Sequence, residues 1–537
     1  PYIPSENPFP ITYCPWCGCK LVSKDASGEI KYGYSRQSEM LICQNPHCRY
    51  AHPNSLPISY IDDCIYEEPP TLLFATVDKF AGLTKEEGGK LFGIGDTQLC
   101  PNLIIQDELH LINGPLGSIV GLFEAIVEQM CSAKGIIPKI IASTATTRNT
   151  ESLIRNLYNR KLAVFPASGL TYDDNYFSFA EPIANSKRHH LGIMPTGHTS
   201  VETEIQLVAL LLCSRVKLFG EYLKNLPTPV DINNPVDVQN AIMHATSSLL
   251  IHDLDNYWAL VLYYNSLKDL GRTNSRISQE IAERVRFLKT TCMADASTLD
   301  FIMKGFDLRT VEFASRQDSS MIKELLTEAE SQMELSVNGG DIQVRKGKDI
   351  ALASNMISVG IDIARWNLMM IVGQPKATTE YIQSSSRAAR SHDGLVVNLL
   401  NPHRNREFSV FENYTSFHNA YYKYVEPLSA TPYTEMSVDK IMANILICYV
   451  LHIKQKAAAS AIDKTDVDEL ADLLKHRCPT NDPQIKDYID RYLDTLYDVW
   501  SSGGVNTYKD VTDKFKNANI SVMKSMRSID ENIYIKF

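Results

Sequence analysis

Two adjacent acids follow a short apolar run near residue 105. Leu103–Gln106 has the composition of a buried strand, Asp107 and Glu108 come directly after it, and His110 follows closely. A carboxylate fixed at the end of a strand can hold the Mg²⁺ ion that bridges the phosphates of a nucleotide, and the next acid can orient an attacking water. We therefore assign Mg²⁺ coordination to Asp107 and water activation to Glu108, and we expect His110 to connect them to the next strand. The alternative is that both acids only cap a helix.

Hydroxyl side chains follow a second apolar run. Lys139–Ala142 is predicted to be another core strand, and Ser143, Thr144 and Thr146 come after it. Such hydroxyls often do no more than cap the end of a strand. Because they follow the acids in order, we expect them instead to relay the state of a bound nucleotide to a second lobe.

Two arginines near residue 390 are suited to bind phosphate. Arg387 and Arg390 lie three positions apart, which places them on one face if the segment is helical. Guanidinium groups stay charged and donate paired hydrogen bonds to phosphate oxygens, so a second lobe can deliver them to the terminal phosphate of a nucleotide. The alternative is a solvated or ion-paired surface.

These segments, in this order, resemble motifs II, III and VI of superfamily 2 helicases, and the stretch around Gly360 and Asp362 resembles motif V. Over about two thirds of the chain, the sequence resembles even more closely the DrmA family, the helicase-like component of the bacterial DISARM anti-phage system. The stretches that carry this resemblance are Asp107–Gly117, Asn355–Asp362 and Gly373–Gln383.

The resemblance implies two RecA-like lobes, ATP and Mg²⁺ as cofactors, and ATP-dependent translocation on or remodelling of DNA in phage defence. It places Gln383 at the start of the arginine motif, among the nucleotide-binding residues, and Ser386 where the wider family has Gly. Gly360 would let the backbone approach closely, and Asp362 would reach the ribose or couple to the DNA path, unless this loop is an ordinary turn. A DrmB-like partner protein is implied as well. The rivals are a non-catalytic DNA-binding or scaffold subunit and an RNA helicase.

One expected motif is missing from the sequence. No Gly-x-x-x-x-Gly-Lys-Ser/Thr loop occurs among the 537 residues, although such a loop wraps the phosphates and its Lys neutralises them. We expect this Walker A segment on a preceding part of the polypeptide or on a second one. We expect the chain alone to bind nucleic acid weakly and not to hydrolyse ATP efficiently.

Five of the twelve cysteines cluster near the N-terminus. Cys14 and Cys17 form a Cys-x-x-Cys pair, and Cys43 and Cys48, with four residues between them, form a second pair about 25 residues later. Two such pairs predict a tetrahedral, structural Zn²⁺ site. Cys19 is a spare ligand, and His47 or His52 would serve as a fourth. Redox chemistry and unliganded thiols are the alternatives.

The composition is that of a globular protein, with 44% hydrophobic and 22% charged residues. Scattered single cysteines suit a reduced compartment, and the apolar runs are too short for a membrane span, so we expect a cytoplasmic protein. The net charge of −10 argues against tight, non-specific coating of DNA.

The predicted fold class is α/β, with two parallel-sheet lobes of which the first is incomplete. Further strands are predicted at Leu72–Thr76 and Ala163–Phe165 in the first lobe, and Trp258–Tyr264 has the pattern of a buried strand in the second. We expect the following segments: a zinc-binding module at 1–66, the later part of the first lobe at 67–170, a linker at 171–186, the second lobe at 187–402 with a helical insertion at about 275–335, and a helical C-terminal region at 403–537.

Overall fold

The computed structural model divides the chain into two compact units. One unit contains Pro166–Glu426, and the other combines the segment up to Phe165 with the segment from Pro427 onward. The structure describes residues 11–24, 30–32, 40–95, 100–132, 135–145, 147–167, 169–171, 174–179, 185–225, 228–245, 254–292, 308–314, 319–338, 341–345, 347–355, 363–479, 482–524 and 526.

The composite unit contains two small sheets. Their strands are β1 (Val22–Lys24) paired antiparallel with β2 (Ile30–Tyr32), and β3 (Leu103–Gln106) paired in parallel with β4 (Lys139–Ala142). The helix Gly114–Ser132 connects β3 to β4, because parallel neighbours need a crossover connection. Both strands alternate between exposed and half-buried residues. The expectation that Leu103–Gln106 and Lys139–Ala142 are buried core strands is therefore wrong: Leu103, Ile105 and Ile141 are exposed, and the opposite face is only half-buried.

Helices form most of the core of the composite unit. The largely buried helix Gly114–Ser132 packs against Glu435–Cys448, and their apolar side chains belong to one cluster with those of the last three helices. The helices of this unit are Asp62–Glu67, Gly114–Ser132, Thr150–Tyr158, Glu435–Cys448, Lys464–Arg477, Pro483–Ser501 and Tyr508–Asn517, with 3-10 segments at Val77–Thr84, Glu86–Phe92, Leu109–Leu111 and Ala459–Ala461.

One described helix is long and apolar enough to cross a membrane by length and composition alone. It is Glu435–Ile453, whose last turn, Tyr449–Ile453, is π-helical. Most of its apolar window is buried inside the composite unit. Packing in a protein core therefore accounts for its composition, as it does for many core helices.

The second unit is built on a six-stranded parallel sheet. Its strand order is β5-β12-β11-β6-β10-β7, and β8 and β9 form a separate antiparallel hairpin. The strands are β5 (Arg188–Ile193), β6 (Leu260–Tyr264), β7 (Thr310–Phe313), β8 (Glu334–Asn338), β9 (Asp341–Arg345), β10 (Ile350–Ala353), β11 (Leu368–Val372) and β12 (Gly394–Leu399).

Both faces of this sheet are covered. Alternate residues of β6 enter two different apolar clusters, with Leu262 in one and Val261 and Tyr263 in the other. This explains why β6 reads as a continuous apolar run, as expected of a parallel strand buried on both faces. The covering helices are Ser200–Lys224, Pro235–Ala245, Leu267–Arg276, Ala282–Cys292, Ser319–Glu330, Thr378–Ser385, Asn405–Glu412 and Tyr414–Asn419, with a π segment at Ile277–Ile281 and a 3-10 turn at Tyr421–Tyr424.

The predicted fold class is confirmed: the chain is α/β, with one parallel sheet in each unit, a cysteine cluster that can hold a metal and a helical C-terminal region. Two predicted strands are wrong. Leu72–Thr76 and Ala163–Phe165 pair with no strand among the described residues, and Phe74 and Phe165 are exposed. Apolar composition gives a strand only where a neighbour completes the hydrogen-bond ladder.

Candidate nucleotide site and cysteine cluster

Asp107 lies at the carboxyl end of β3, next to the end of β4. The two chain segments are joined beyond the strands, because Ser143 N–H donates to Gln106 O and Leu109 N–H donates to Ser143 O, each at 2.9 Å. The Oδ1 atom of Asp107 accepts from Glu108 N–H at 3.0 Å and from the Ser143 hydroxyl. The structure therefore brings together the first acid and the first hydroxyl, which are far apart in the sequence.

Glu108 and His110 extend this contact. Glu108 has a left-handed backbone, with φ of +50°, which turns the chain sharply after the strand. His110 is buried, and its Nδ1 atom lies 3.2 Å from Glu108 Oε2 and 3.4 Å from the backbone nitrogen of Ala145. One ring nitrogen can donate to the carboxylate or accept from the amide, but it cannot do both. The imidazole therefore offers two alternative bonds between the acid pair and the segment after β4.

Electrostatics keep this histidine neutral near pH 7. Burial lowers the pKa of His110, and the nearby Glu108 carboxylate offsets only part of that effect. A neutral ring can exchange its two tautomers without gaining a charge. Thr144 is exposed beside Ser143, whereas Thr146 lies outside the described residues.

The acid pair suits a magnesium ion by its ligand chemistry. Asp107 is exposed and Glu108 is partly exposed, so a hydrated ion can reach both carboxylates. Mg²⁺ prefers oxygen ligands and usually keeps several of its waters, with one or two carboxylates and substrate phosphates completing the shell. Asp107 would hold such an ion and Glu108 would stand beside its water.

The predicted arginines follow a helix that ends before them. The helix Thr378–Ser385 carries Gln383, and Arg387 and Arg390 lie in the turn after it. The premise that both arginines share one helical face is therefore wrong. The reason is Ala389, whose φ of +57° breaks the helical path and whose N–H donates to Trp366 O at 3.2 Å.

The arginine turn, residues 386–390, is held by a residue of β5. Arg188 Nε donates to Ala388 O at 3.0 Å, and its terminal nitrogen donates to Ser386 O at 3.3 Å. Arg390 Nε donates to the same Ser386 carbonyl at 3.3 Å. Arg188 thus satisfies carbonyls that the end of a helix leaves unpaired. Its one signal in the sequence is the basic run at 187–190, which composition alone assigns to a solvated surface.

The start of the same helix is held as well. The Glu426 carboxylate accepts from Thr378 N–H at 2.9 Å and from the Thr378 hydroxyl at 3.0 Å. An acid at this position favours the helix through the partial positive charge of its N-terminus. The helix that carries Gln383 is therefore fixed at both ends. Gly360 and Asp362 lie outside the described residues.

A buried acid lies behind β3 and β4. Glu124 lines a small pocket with Tyr158, Arg160 and Arg477, beneath side chains of both strands. Burial raises the pKa of Glu124 to about 7, although Arg477 and Arg160 partly offset the effect. The sequence does not single this residue out, because Glu124 occurs within a helix whose other residues follow an ordinary apolar pattern.

Cys14, Cys17, Cys43 and Cys48 come together as predicted. The Sγ atoms of Cys14 and Cys48 are 3.9 Å apart, those of Cys17 and Cys43 are 3.4 Å apart, and all four lie within 4.8 Å of one another. Zn–S bonds of about 2.3 Å in a tetrahedron place the sulfurs roughly 3.8 Å apart, whereas a disulfide needs about 2.05 Å. These spacings fit one metal ion with four thiolates.

The local backbone prepares these cysteines for a metal. Gly18 adopts φ of +72° in the turn after Cys17, where a residue with a Cβ would be strained. The backbone N–H of Cys19 lowers the pKa of Cys17 to about 7, which favours the thiolate, whereas burial raises the pKa of Cys43. Cys19, His47 and His52 are not members of the group that could hold the ion.

Comparisons with known proteins agree with this architecture. The family described as "Helicase conserved C-terminal domain" matches residues 299–392. The DISARM protein DrmA of Bacillus paralicheniformis is 29% identical in an alignment 543 positions long, which covers 92% of this chain and 44% of that protein. The chain thus spans less than half the length of this relative. The resemblance to helicases, and to DrmA among them, is confirmed.

Solved structures give weaker likenesses. The DUF1998 helicase MrfA bound to DNA has a TM-score of 0.45 at 13% identity, over 77% of this chain and 46% of that one. The Mycobacterium smegmatis helicase Lhr, bound to single-stranded DNA and AMP-PNP, has a TM-score of 0.43 at 14% identity, over 81% of this chain and 43% of that one. Scores of this size do not locate individual residues.

Proposed function

We propose that this chain is the helicase-type subunit of an ATP-driven DNA translocase in a bacterial anti-phage system of the DISARM kind. The similarity to DrmA supports the system, and the geometry at the end of β3 supports the chemistry. In this proposal the protein works in the cytoplasm beside a DrmB-like partner protein. DNA is held through its phosphate backbone and is partly single-stranded.

The hydrogen bond between Asp107 and Ser143 is the observation that carries the proposal. A nucleotide motor must turn a change at its phosphates into movement of the chain, and this contact ties the Mg²⁺-binding position directly to the segment after β4. His110 adds a second tie through Ala145. In a scaffold that never hydrolyses nucleotide, these contacts would do no more than cap the ends of the two strands.

The remaining site residues complete the proposed reaction. ATP supplies the transferable phosphate, and a bound Mg²⁺ ion neutralises its oxygens. Asp107 holds the ion, Glu108 orients the attacking water, and Arg387 and Arg390 stabilise the charge that develops on the terminal phosphate. The residues that contact the nucleotide or report its state are Gln383, Gly360, Asp362, Ser143, Thr144 and Thr146.

The four cysteines hold a structural Zn²⁺ ion in this proposal. A site closed by four protein ligands leaves no position for a reacting water, so the zinc braces the module and takes no part in hydrolysis. A Walker A segment, on the same or another polypeptide, completes the nucleotide site.

The experiment is Glu108→Gln in the complete protein that carries a phosphate-binding loop. The substitution keeps the shape of the side chain and removes the charge that orients water, so ATP turnover should be lost while ATP and DNA binding persist. Glu151→Gln, an exposed glutamate on the helix Thr150–Tyr158 of the same unit, is the matched control and should keep full activity. Equal loss of binding and turnover would assign Glu108 a structural role and contradict the proposal.

A non-catalytic DNA-binding or scaffold subunit is the second candidate. The absence of a Gly-x-x-x-x-Gly-Lys-Ser/Thr loop from the 537 residues favours it. The two candidates differ in one measurement, because a scaffold would show no DNA-stimulated ATP hydrolysis even in the complete protein. An RNA helicase would be stimulated by RNA in preference to DNA.

A further inference from the structure

The tips of the two cysteine turns meet in an aromatic cluster. Trp16 lies between the first two cysteines, and Arg49 and Tyr50 follow Cys48 directly. Because the four sulfurs converge, these three side chains come together on the outer side of the module. We call Trp16, Arg49 and Tyr50 the knuckle platform.

Trp16 is held in place without being covered. Its ring meets Tyr50 edge-on, with centroids 5.6 Å apart and planes at 84°. The Arg49 guanidinium carbon lies 6.0 Å from the Trp16 ring and 5.9 Å from the Tyr50 ring, at the range of a cation–π contact. Trp16 nevertheless keeps 61% of its surface exposed, whereas Trp258, Trp366 and Trp500 are at most 1% exposed.

The surroundings of the platform favour an anionic ligand. Residues 11–60 carry five Lys and Arg side chains against three Asp and Glu, in a chain whose net charge is −10. The parts of this stretch nearest the cysteines, 11–24 and 40–60, contain no acidic side chain. A second cation lies over a second ring there, with Lys20 Nζ 5.8 Å from the centre of Tyr13. Local charge of this kind decides phosphate binding more than the total does.

We propose that the knuckle platform binds an unpaired base of single-stranded DNA, with the base stacked on Trp16 and Arg49 beside the neighbouring phosphate. An exposed aromatic ring next to a guanidinium is the combination that single-strand binding proteins use, because every base offers a flat face and every nucleotide a phosphate. The inference rests on the proposed function, in which the substrate is DNA, and it adds a contact outside both sheets.

The four tryptophans provide a direct reporter. Since three are buried, a base that stacks on Trp16 should quench the exposed part of the intrinsic fluorescence and leave the rest unchanged. The probes are a fluorescently labelled dT oligomer and an abasic oligomer of equal length, which has the same phosphates and no bases. The full chain is titrated with each, and anisotropy of the labelled oligomer measures total binding independently.

The expected result is quenching by the dT oligomer, little quenching by the abasic one, and no quenching in Trp16→Phe. Trp16→Phe should bind dT nearly as well as the wild type, because a ring remains. Trp16→Ala should bind roughly tenfold more weakly, in the range of base–aromatic stacking. Tyr176→Ala removes an even more exposed ring in the other unit and should change nothing. Zinc content, measured for every variant, shows whether the module is intact.

The contrary results separate the two proposals. Binding by anisotropy without quenching of Trp16, or an equal effect of the abasic oligomer, would overturn the platform and leave DNA binding by the protein in place. No binding at all, in the chain and in the complete protein, would overturn both. Trp16→Ala with intact zinc and unchanged affinity would also overturn the platform, and would favour a protein partner for this surface.

Discussion

The carboxylate of Asp107 accepts a hydrogen bond from the hydroxyl of Ser143, 36 positions further along the chain. The bond closes the gap between the ends of two parallel strands, and Asp107 receives the backbone N–H of Glu108 at the same oxygen. Any ligand that draws electron density from this carboxylate weakens its hold on Ser143. In the proposed site the contact would therefore link an ion bound by Asp107 to the chain beyond β4.

Removing the hydroxyl of Ser143 tests this link. In the complete protein, Ser143→Ala should lower DNA-stimulated ATP turnover by roughly tenfold, the scale of one hydrogen bond to a charged group, while ATP binding stays near wild type. Thr495→Ala is the control, since it removes an exposed hydroxyl on the helix Pro483–Ser501 of the same unit. Steady-state hydrolysis with and without DNA checks the prediction, and equal effects of the two substitutions would contradict it.

The arginine turn is expected to act on the transition state. Arg387→Ala and Arg390→Ala should each reduce kcat for ATP hydrolysis by about a thousandfold, as loss of a catalytic arginine does in related phosphoryl-transfer sites. Lysine at either position keeps the positive charge but cannot donate the paired hydrogen bonds of a guanidinium, so it should rescue only part of the rate. An arginine whose alanine variant keeps near wild-type turnover does not reach the phosphate.

Arg188 is expected to position that turn without touching the nucleotide. Arg188→Ala frees the carbonyls of Ser386 and Ala388, so kcat should fall by roughly tenfold while KM for ATP changes little. Lys187→Ala, a substitution of the exposed neighbouring residue, is the control. A rise in KM with unchanged kcat would instead mean that Arg188 binds substrate.

Glu124 should make stability depend on pH. Burial raises its pKa from 4.5 to about 7, so between these values the folded protein holds a proton that the unfolded chain has released. The free energy of unfolding should therefore fall as pH rises from about 4.5 to 7, by an amount on the order of 3 kcal/mol. Glu124→Gln should flatten this slope and stabilise the protein at pH 8. Urea unfolding at pH 5 and pH 8 measures this change in the free energy of unfolding. Glu151→Gln serves as the control that keeps the pH dependence.

The cysteine cluster should hold one equivalent of Zn²⁺. Metal analysis of protein purified without added zinc should find about one ion per chain, and Cys43→Ser should lose it. Cys64→Ser, which changes a cysteine outside the cluster, should retain it. Four freely titrating thiols at the cluster of the folded protein, without metal, would show that the sulfurs converge for another reason.

Sequence patterns predicted the parts of this structure that rest on local periodicity. The continuous apolar run before Asn265 became the buried strand β6, and the two cysteine pairs converged because their spacing and turn residues are sufficient to specify a tetrahedral cluster. Sequence patterns did not predict the path of the chain where that path depends on a hydrogen bond to a distant backbone group. The arginines share one face only if their segment is helical, yet the helix ends at Ser385 and Ala389 N–H donates to Trp366 O, and nothing near residue 389 in the sequence indicates this.

Dependence on distant neighbours also explains why the strands predicted at Leu72–Thr76 and Ala163–Phe165 are wrong and why the sequence did not single out Glu124. Phe74 and Phe165 belong to apolar runs, but a strand forms only beside a partner, which composition does not supply. Glu124 is buried because two helices and two strands close over it. Its apolar helical neighbours predict a core helix correctly, and they also conceal the buried acid within that helix.

The left-handed backbone of Ala389 restricts which sequences can carry the arginine turn. Glycine reaches φ of +57° freely and asparagine tolerates it, but β-branched residues do not. Gly394 lies against the same residue, and a Cβ at position 394 would come within 2.7 Å of the Ala389 Cβ and 2.5 Å of Asn367 O. Few other amino acids can therefore replace Ala389 or Gly394. Saturation mutagenesis scored for folding should find that positions 389 and 394 tolerate almost no substitution. Position 390, between them, should show no such steric limit.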